Sequence, residues 1–495
     1  MQFTMTQEQR LVVESSAKTL AVDAFAGCTK TTTLVFYAQA RPNKRFLYLA
    51  FNASVKEAAK EKFPSNVRVV TTHGLAYGKT GKDYARKLGN PRASDIVRVF
   101  DVPHALAGQA LAIIKAWLCD VHAEIDERSV SDEIPAAARE AALELARKTW
   151  VKMMNTRDKS VFMSHDGYLK LYQISRPMID NIDGILFDEF QDANPLALDI
   201  VSRQTCDKLY VGDRHQAIYA FRGAVNALER LKTDERLSLT GSFRFGAGIA
   251  SLASALLQTF AGEDKDVRGL SPHKTKWTVD RKKPYTIIGR TNAGIFDAAV
   301  KAIKEGRRIC FCGGVDSYRL DTILDAYHLY AGTGAVRDRM LASFSTWAEM
   351  KEYAETVNDR ELKSLVRTVE SYGRGLPGLI SWMRSKAEST PTGKDITLST
   401  VHKAKGLEYD QVVMLDDFAD LDDEVPREEV HLHYVALTRA IHSLEPNNQL
   451  LAWLATARPQ LHAEMLASRT VASAKANSTA ANDGRKSSMR HRETA

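Results

Sequence analysis

The chain has 495 residues, 44% of them hydrophobic and 26% charged, and carries a formal net charge of +7. This length predicts more than one domain, and a mean hydropathy of −0.28 is typical of a water-soluble protein with ample core material. The sequence contains no apolar run of about 18 residues, no basic-then-apolar N-terminal segment and no zinc-like spacing of its cysteines. These features argue against membrane-spanning and disulfide-rich classes, and they predict a reduced, cytoplasmic setting. The positive charge favours a polyanionic partner only weakly.

Apolar runs and helical segments alternate in the N-terminal part of the chain, a pattern typical of α/β domains. The strands predicted there are Leu20–Ala24, Phe46–Phe51, Val67–Thr71, Ile185–Phe187 and Lys208–Val211. Between residues 85 and 180 the chain is rich in Ala, Leu and charged residues at helical spacing, as in Ala136–Met154. We expect this stretch to be a helical insertion and the strands on either side of it to share one sheet.

A second α/β unit is expected to begin near Leu239. Its predicted strands are Tyr285–Gly289, Arg308–Cys312 and Val412–Leu415, and a helical stretch at 315–392 separates them. Residues 468–495 are rich in Ala, Ser, Asn and basic residues without apolar periodicity, which predicts a disordered basic tail. This tail is a candidate for nonspecific DNA affinity or for contact with a protein partner.

A small-residue loop with a Lys-Thr pair follows the first predicted strand and precedes a helix start. Backbone N–H groups of such a loop and the helix N-terminus bind phosphates, so the segment predicts ATP binding. Lys30 is expected to reach the β- and γ-phosphates, and the Thr31 hydroxyl to bind Mg²⁺. The candidate nucleotide contacts here are Ala26, Gly27, Cys28, Thr29, Lys30, Thr31 and Thr32. Thr29 stands where such loops usually have Gly, and we expect this β-branched residue to require a negative φ.

Two adjacent acids, Asp188 and Glu189, end the apolar run Ile185–Phe187. The carboxyl end of a buried parallel strand is where α/β sheets present catalytic groups. In a nucleotide site one acid holds Mg²⁺ and the other acts on the attacking water, which predicts Asp188 as a metal ligand and Glu189 as the general base. Taken alone, the same pair is equally typical of a capped strand end.

The order of these segments and of several further motifs resembles the UvrD/Rep-type superfamily-one DNA helicases, and within them the short F-box-DNA-helicase-like branch. The further motifs are Met5–Gln9, Phe51–Ala53, Thr71–Gly74, Val211–Ala224, Leu239–Arg244, Leu398–Asp410 and Tyr434–Ala440. The resemblance implies an α/β fold with two RecA-like P-loop NTPase domains in tandem and helical insertions in each. The implied domains are residues 1–84 with 181–237 and residues 238–314 with 393–467, and the insertions are 85–180 and a reduced 315–392.

The resemblance also implies a site for ATP and Mg²⁺ that lies between the two α/β domains. Gln216 would position the attacking water, and Arg244 and Arg439 would stabilise charge on the transferring phosphoryl group. The other implied nucleotide contacts are Gln9 at the adenine edge, Gly406, and Glu408 toward the ribose. Without this context, an exposed polar residue at a helix start is the more ordinary interpretation of Gln9.

A second group of residues is implied to contact DNA. It comprises Phe51, Asn52, Thr72, His73, Tyr219, Phe221, Arg222, Thr400 and His402. Short polar groups at loop tips bind phosphates, and aromatic rings stack on bases for about 1–3 kcal/mol each. By themselves, Asn52 and Thr72 are also typical of helix N-caps. The two histidines are also zinc-ligand candidates, but no third ligand is suitably spaced.

The function implied is an ATP-dependent DNA helicase or translocase that moves 3′→5′ on single-stranded DNA and acts at single/double-strand junctions. DNA repair is one of several pathways that use such motors. Two alternatives stay open at this point. One is a translocase that strips proteins or recombination filaments with little unwinding, and the other is a nucleotide-gated DNA-binding subunit whose hydrolysis is slow because of Thr29.

Overall fold

The structure, a computed structural model, describes residues 4–50, 52–218, 231–338, 340–356, 359–388 and 396–469. The chain divides into two compact units. The first comprises Met1–Phe25 with Thr29–Leu239, and the second comprises Ala26–Cys28 with Thr240–Ala495. Each unit contains a six-stranded parallel sheet with helices, which confirms the predicted α/β class.

The first unit is built on a sheet with the strand order β3-β2-β4-β5-β1-β6. Its strands are β1 Thr19–Ala24, β2 Phe46–Ala50, β3 Val67–Thr71, β4 Gly184–Phe187, β5 Asp207–Gly212 and β6 Glu235–Leu239. Its α-helices are Gln7–Glu14, Lys30–Gln39, Ala53–Lys60, Thr72–Lys79, Ala93–Phe100, His104–Trp117, Ala136–Met154, His165–Ile174 and Pro195–Ser202. Every residue of β2 and β4 is buried, as expected for parallel strands with helices on both faces.

The helices between β3 and β4 share a core with the first sheet. Within it, the indole rings of Trp117 and Trp150 meet edge to face with centroids 4.8 Å apart. The buried side chain of Lys87 lies at the C-terminal end of the helix Ala136–Met154. Its ammonium donates to the carbonyls of Lys152, Asn155 and Asp158 at 2.9, 2.9 and 2.6 Å. Lys87 thereby binds carbonyls that a helix end leaves without intrahelical donors.

We expect Lys87→Met to lower the free energy of unfolding by about 2–3 kcal/mol, because Met fills a similar volume but leaves three carbonyls without their donor. Lys148→Met is the matched control, since Lys148 lies on the same helix and its pair with Glu144 is exposed to solvent. That control should change stability by less than about 0.5 kcal/mol. Urea unfolding followed by circular dichroism measures both, and equal small effects would contradict this role for Lys87.

The second unit is built on a sheet with the order β11-β10-β12-β9-β13-β14, beside a short pair formed by β7 and β8. Its strands are β7 Gly241–Ser242, β8 Arg268–Gly269, β9 Tyr285–Gly289, β10 Ile309–Phe311, β11 Ala387–Glu388, β12 Ile396–Thr400, β13 Tyr409–Met414 and β14 Ala440–Glu445. Its α-helices are Ala247–Phe260, Asn292–Lys304, Leu320–Ala331, Trp347–Thr356, Arg360–Tyr372, Leu376–Lys386, Val401–Ala404, Arg427–Leu437 and Asn448–Ala457.

Several strands lack a signal in the sequence. β6 and β14 are edge strands whose polar residues interrupt the apolar pattern, and β12 carries hydroxyl residues at three of its five positions. The predicted disordered tail lies outside the described residues except for Ser468 and Arg469. Among the described residues, no single helix is both long enough and apolar enough to cross a bilayer. One bent pair of helices meets these two requirements when its members are taken together.

Candidate functional site

The Lys30–Thr31 pair, which follows β1, and the acids Asp188 and Glu189, which follow β4, lie at the same edge of the first sheet. β1 and β4 are both hydrogen-bonded to β5, and all three strands run parallel. Their carboxyl ends therefore face the same way, which places the loop before Lys30 and the acids after Phe187 along one edge. In open α/β sheets this edge is where ligands bind.

Thr29 adopts a left-handed conformation, with φ 51° and ψ 44°, directly before the helix Lys30–Gln39. The expectation of a negative φ at this position was therefore wrong. The side chain is held from outside the loop, because the Gln9 Nε2 donates to Thr29 Oγ1 at 3.0 Å. A β-branched residue in this conformation costs about 1–2 kcal/mol, and the chain follows here the path for which such loops normally use Gly.

The carboxylate of Asp188 is 3% exposed and accepts three hydrogen bonds. Its Oδ2 accepts from Thr31 Oγ1 and from the Tyr48 hydroxyl, both at 2.8 Å, and its Oδ1 accepts from the backbone N–H of Glu189 at 2.9 Å. Burial, and secondly the charge of Glu189, raise the pKa of Asp188, whereas the Lys30 charge and the hydrogen bonds from Thr31 and Tyr48 lower it. The donors thus favour the charged form that burial disfavours.

Glu189 also has a left-handed backbone, with φ 50°. Its Oε1 lies 3.7 Å from the Lys30 ammonium, and its Oε2 accepts from Gln191 Nε2 at 2.7 Å. The buried Gln191 in turn accepts from the Asp213 backbone N–H at 3.0 Å. Gln216 is also buried and donates to Asp213 Oδ2 at 2.6 Å. A hydrogen-bonded chain therefore connects Glu189 after β4 with Gln216 after β5.

Thr31 and Asp188 fit a magnesium ion. Mg²⁺ prefers oxygen ligands and is usually held by one or two protein groups together with water and phosphate oxygens. The Thr31 hydroxyl and the buried Asp188 carboxylate supply such oxygens side by side. Within the described ranges, no group of three or more His, Cys, Asp or Glu side chains is arranged to hold a metal, so the zinc alternative for His73 and His402 gains no support there.

The two arginines of the second unit are held differently. Arg244 donates to the carbonyl of Thr438 at 2.8 Å and to the carboxylate of Glu408 at 2.7 Å. Arg439 is 1% exposed and donates from Nε to the Val435 carbonyl at 3.0 Å. Because the Glu408 side chain is 49% exposed, its pair with Arg244 is accessible to solvent, whereas Arg439 is enclosed. Gly406, two residues before Glu408, has φ 82°.

Residues Ala26–Cys28, in the middle of the small-residue loop, belong to the second compact unit. The backbone N–H of Ala26 donates to the Tyr434 hydroxyl at 2.9 Å. Gly27 has φ 75°, and a side chain there would collide with Ser242 Oγ and Arg244 Cβ. Cys28 is buried, while Thr32 is half-buried on the helix Lys30–Gln39. Gly27 is thus required both by its backbone conformation and by its close neighbours.

The residues implied to contact DNA follow strand ends in both units. Asn52 caps the helix Ala53–Lys60 by accepting from the Val55 N–H at 2.9 Å, and Thr72 begins the helix Thr72–Lys79. His73 Nε2 lies 3.0 Å from Asp166 Oδ1. Thr400 ends β12 and His402 lies in the short helix after it. Phe51, Tyr219, Phe221 and Arg222 lie outside the described residues.

Comparison with known families agrees with this geometry. The UvrD/REP helicase N-terminal domain matches residues 164–234, which include Asp188, Glu189 and Gln216. The UvrD-like helicase C-terminal domain matches residues 317–445, which include Glu408 and Arg439. The chain therefore contains matches to both the N-terminal and the C-terminal domain of the UvrD/Rep-type helicases. The family indicated by the motifs is thereby confirmed.

Two curated relatives of this UvrD/Rep-type chain are DNA helicases by name. F-box DNA helicase 1 of Gallus gallus is 32% identical over 515 aligned residues, which cover 92% of this chain and 50% of the relative. F-box DNA helicase protein 1 of Schizosaccharomyces pombe is 28% identical over 510 aligned residues, which cover 90% of this chain and 58% of the relative. The chain therefore spans about half the length of the curated relatives it matches.

Two residues of the site carried no functional assignment from the sequence. Tyr48 lies within an apolar strand, where an aromatic residue is ordinary core material. Gln191 follows the two acids closely enough to attract notice, but its bonds to Glu189, Asp192 and the Asp213 N–H become apparent only in the fold. Both are buried, and they donate directly to Asp188 and Glu189 respectively.

We expect Tyr48→Phe to raise the Mg²⁺ concentration for half-maximal ATP turnover by about tenfold, because a buried carboxylate loses one of its donors. Without that donor the pKa of Asp188, already raised by burial, rises further, so the protonated acid persists to higher pH. The acid limb of the pH–rate profile should therefore move upward in pH. Magnesium titrations and pH profiles measure both effects. Tyr37→Phe, a hydroxyl deletion on the helix Lys30–Gln39, is the control, and an unchanged magnesium dependence in Tyr48→Phe would contradict the assignment.

Proposed function

We propose that the chain is an ATP-driven motor that moves 3′→5′ on single-stranded DNA and couples hydrolysis to strand separation. The observation that carries this proposal is the meeting of the Lys-Thr pair with the two acids. Lys30 approaches Glu189, and Thr31 donates to Asp188, so four side chains suited to phosphate and metal binding converge at one sheet edge. The names of the relatives, which are DNA helicases, support DNA as the substrate.

Each of these side chains has a distinct chemical role in the proposal. Lys30 and the loop N–H groups bind the β- and γ-phosphates, and Glu189 accepts the proton of the attacking water. Thr31 and Asp188 would hold Mg²⁺, which when bound neutralises negative charge on the phosphates. Gln216 orients the water, and its hydrogen-bonded connection to Glu189 supports this pairing.

Arg244 and Arg439 are proposed to stabilise negative charge on the transferring phosphoryl group. Arg244 is paired with Glu408 in the structure, so its use on a phosphate requires that ion pair to open. The Glu408 side chain is half-exposed, so its carboxylate can turn to solvent when Arg244 transfers to a phosphate. Arg439 is enclosed among backbone carbonyls and is proposed to hold its position while Arg244 moves.

Movement along DNA requires DNA-binding sites that alternate between binding and release. Asn52 follows β2, and Thr72 and His73 follow β3, so these polar residues are presented by neighbouring strands of the first sheet. Thr400 and His402 follow β12 of the second sheet. One set of phosphate-binding candidates in each unit is the minimum that a stepping motor needs.

The conformation of Thr29 bears on the alternative of a slow, nucleotide-gated binding subunit. Its positive φ gives the loop the backbone path of a glycine, and a hydrogen bond from Gln9 supports that path. A loop with this path supports a competent site. A tailed-duplex unwinding assay separates the helicase from a translocase that strips proteins.

We expect Glu189→Gln to lower DNA-stimulated ATP hydrolysis by at least about 100-fold while nucleotide binding persists, since a general base contributes about 10²–10⁴-fold. Steady-state hydrolysis with and without single-stranded DNA measures this change. Asp183→Asn is the control, because Asp183 lies just before the first residue of β4, at the other end of the strand from Glu189, and pairs with exposed Arg45. ATP hydrolysis that persists in Glu189→Gln, or that is not stimulated by single-stranded DNA in the unsubstituted chain, would contradict the proposal.

A further inference from the structure

Positively charged side chains cluster at the amino edge of the second sheet. They are Arg281, Lys282, Lys283, Arg307, Arg308 and Lys386, and we call them the amino-edge patch. The first three lie just before β9, the next two just before β10, and the last just before β11. The β10–β11 register pairs Ile309 with Ala387, which places Arg308 beside Lys386. All members are exposed except Arg307, which is half-buried.

Two arginines of the patch are held against one buried ring. Arg307 Nη1 donates to the carbonyl of Arg281 at 2.8 Å, so the segments before β9 and β10 are in contact. The guanidinium carbons of Arg281 and Arg307 lie 4.9 and 5.7 Å from the centroid of the Tyr285 ring, within the range of cation–π contacts. Because Tyr285 is buried in β9, the sheet itself positions these two charges.

Acids near the patch neutralise only part of its charge. Asp280 and Glu305 belong to the same segments, and Glu445 pairs with Arg281 at 2.7 Å. Lys282 and Lys283 donate their backbone N–H groups to Asp280, and both residues are exposed. Positive charge therefore remains in excess among the described residues of this edge.

The amino edge of the first sheet shows that such an excess is not a requirement of the fold. There Lys44 contacts Asp207 at 2.6 Å, and Arg45 contacts Asp183 at 3.2 Å. Both cations precede β2, whereas Asp183 precedes β4 and Asp207 begins β5. Cations at that edge are thus paired with acids from neighbouring strands.

The patch is remote from the DNA-binding candidates of the same sheet. Thr400 ends β12 and His402 follows it, so both lie at the carboxyl edge. A five-residue strand spans about 17 Å at about 3.3 Å per residue. DNA bound at the carboxyl edge therefore cannot use the same phosphates at the amino edge.

The composition of the patch fits phosphate groups better than a protein surface or unpaired bases. Arg and Lys bind phosphate oxygens without reading the base sequence. Residues 281–283 and 305–308 include no aliphatic or aromatic side chain, whereas such groups anchor protein interfaces, and single strands stack their bases on aromatic rings. Duplex DNA presents closely spaced phosphates with its bases stacked inside, so this chemistry favours duplex DNA.

On the basis of the function proposed above, in which DNA is the polyanion that the chain works on, we propose that the amino-edge patch is a second DNA site. It binds the phosphate backbone of duplex DNA while single-stranded DNA occupies the carboxyl edge. Binding is independent of base sequence and weakens as salt rises, because phosphate contacts release counterions. Such a site keeps a duplex arm close to the moving chain.

Anisotropy of a fluorescent blunt-ended duplex, added to the full chain already saturated with unlabelled oligo(dT), tests this proposal. The duplex should bind without displacing the single strand. Lys282→Gln combined with Lys283→Gln should weaken duplex binding by at least about tenfold and lower the slope of log affinity against log salt by about 1.8, for two lost phosphate contacts. Hydrolysis of ATP stimulated by oligo(dT) should stay unchanged, since neither lysine lies near the nucleotide site or the carboxyl edge.

Lys351→Gln combined with Lys363→Gln is the matched control. It removes the same charge from the same unit, on helices outside the patch, where the two lysines pair with Glu370 and Glu355 at 2.8 and 2.9 Å. The control should leave the salt slope unchanged. Equal losses in both double variants, displacement of the duplex by oligo(dT), or no duplex binding would overturn this inference. Failure of the unsubstituted chain to bind oligo(dT), with duplex binding still lost only in the patch variant, would overturn the proposed function alone.

Discussion

The buried carboxylate of Asp188 is the constraint on which the chemistry of the first unit depends. An ionised carboxylate away from water costs several kcal/mol unless donors and opposite charge compensate it. Here the compensation comes from the start of the helix Lys30–Gln39 through Thr31 and Lys30, from β2 through Tyr48, and from the backbone N–H of Glu189. Because these groups come from separate segments, the site exists only once the order β2-β4-β5-β1 is formed. Folding of the sheet and assembly of the site are therefore one process.

Two left-handed residues shape the loops of this site. Thr29 and Glu189 have φ of 51° and 50°, and each turns the chain shortly after a strand, β1 and β4 respectively. Neither residue is glycine, so each turn stores backbone strain of about 1–3 kcal/mol that surrounding contacts must maintain. Gln9 holds the side chain of Thr29, and Gln191 with Lys30 holds that of Glu189. Strain of this kind is characteristic of functional sites, where it fixes groups that would otherwise rotate.

The sequence indicated the central chemistry because its residues are close together along the chain. Lys30 with Thr31, and Asp188 with Glu189, are short motifs at the ends of apolar runs. The α/β class followed from the alternation of apolar runs and helical segments, and the family from the order of these and further motifs. The Tyr48–Asp188 bond joins residues 140 positions apart, so it depends on strand order, which no local pattern states. The φ of Thr29 was wrongly expected to be negative because intrinsic preference was considered without the partner supplied by Gln9. Edge strands such as β6 and β14 were missed because their polar residues remove the apolar signal.

Directional movement is the central claim, and displacement of streptavidin from end-labelled single-stranded DNA tests it most directly. Oligonucleotides carry biotin at either the 5′ or the 3′ end, and release is followed with ATP, without ATP and with Glu189→Gln. The account predicts ATP-dependent release from the 5′ end alone, because a 3′→5′ motor travels toward that end, and no release with Glu189→Gln. Release from the 3′ end alone would contradict the direction. Absence of release from both ends despite DNA-stimulated hydrolysis would contradict the motor itself.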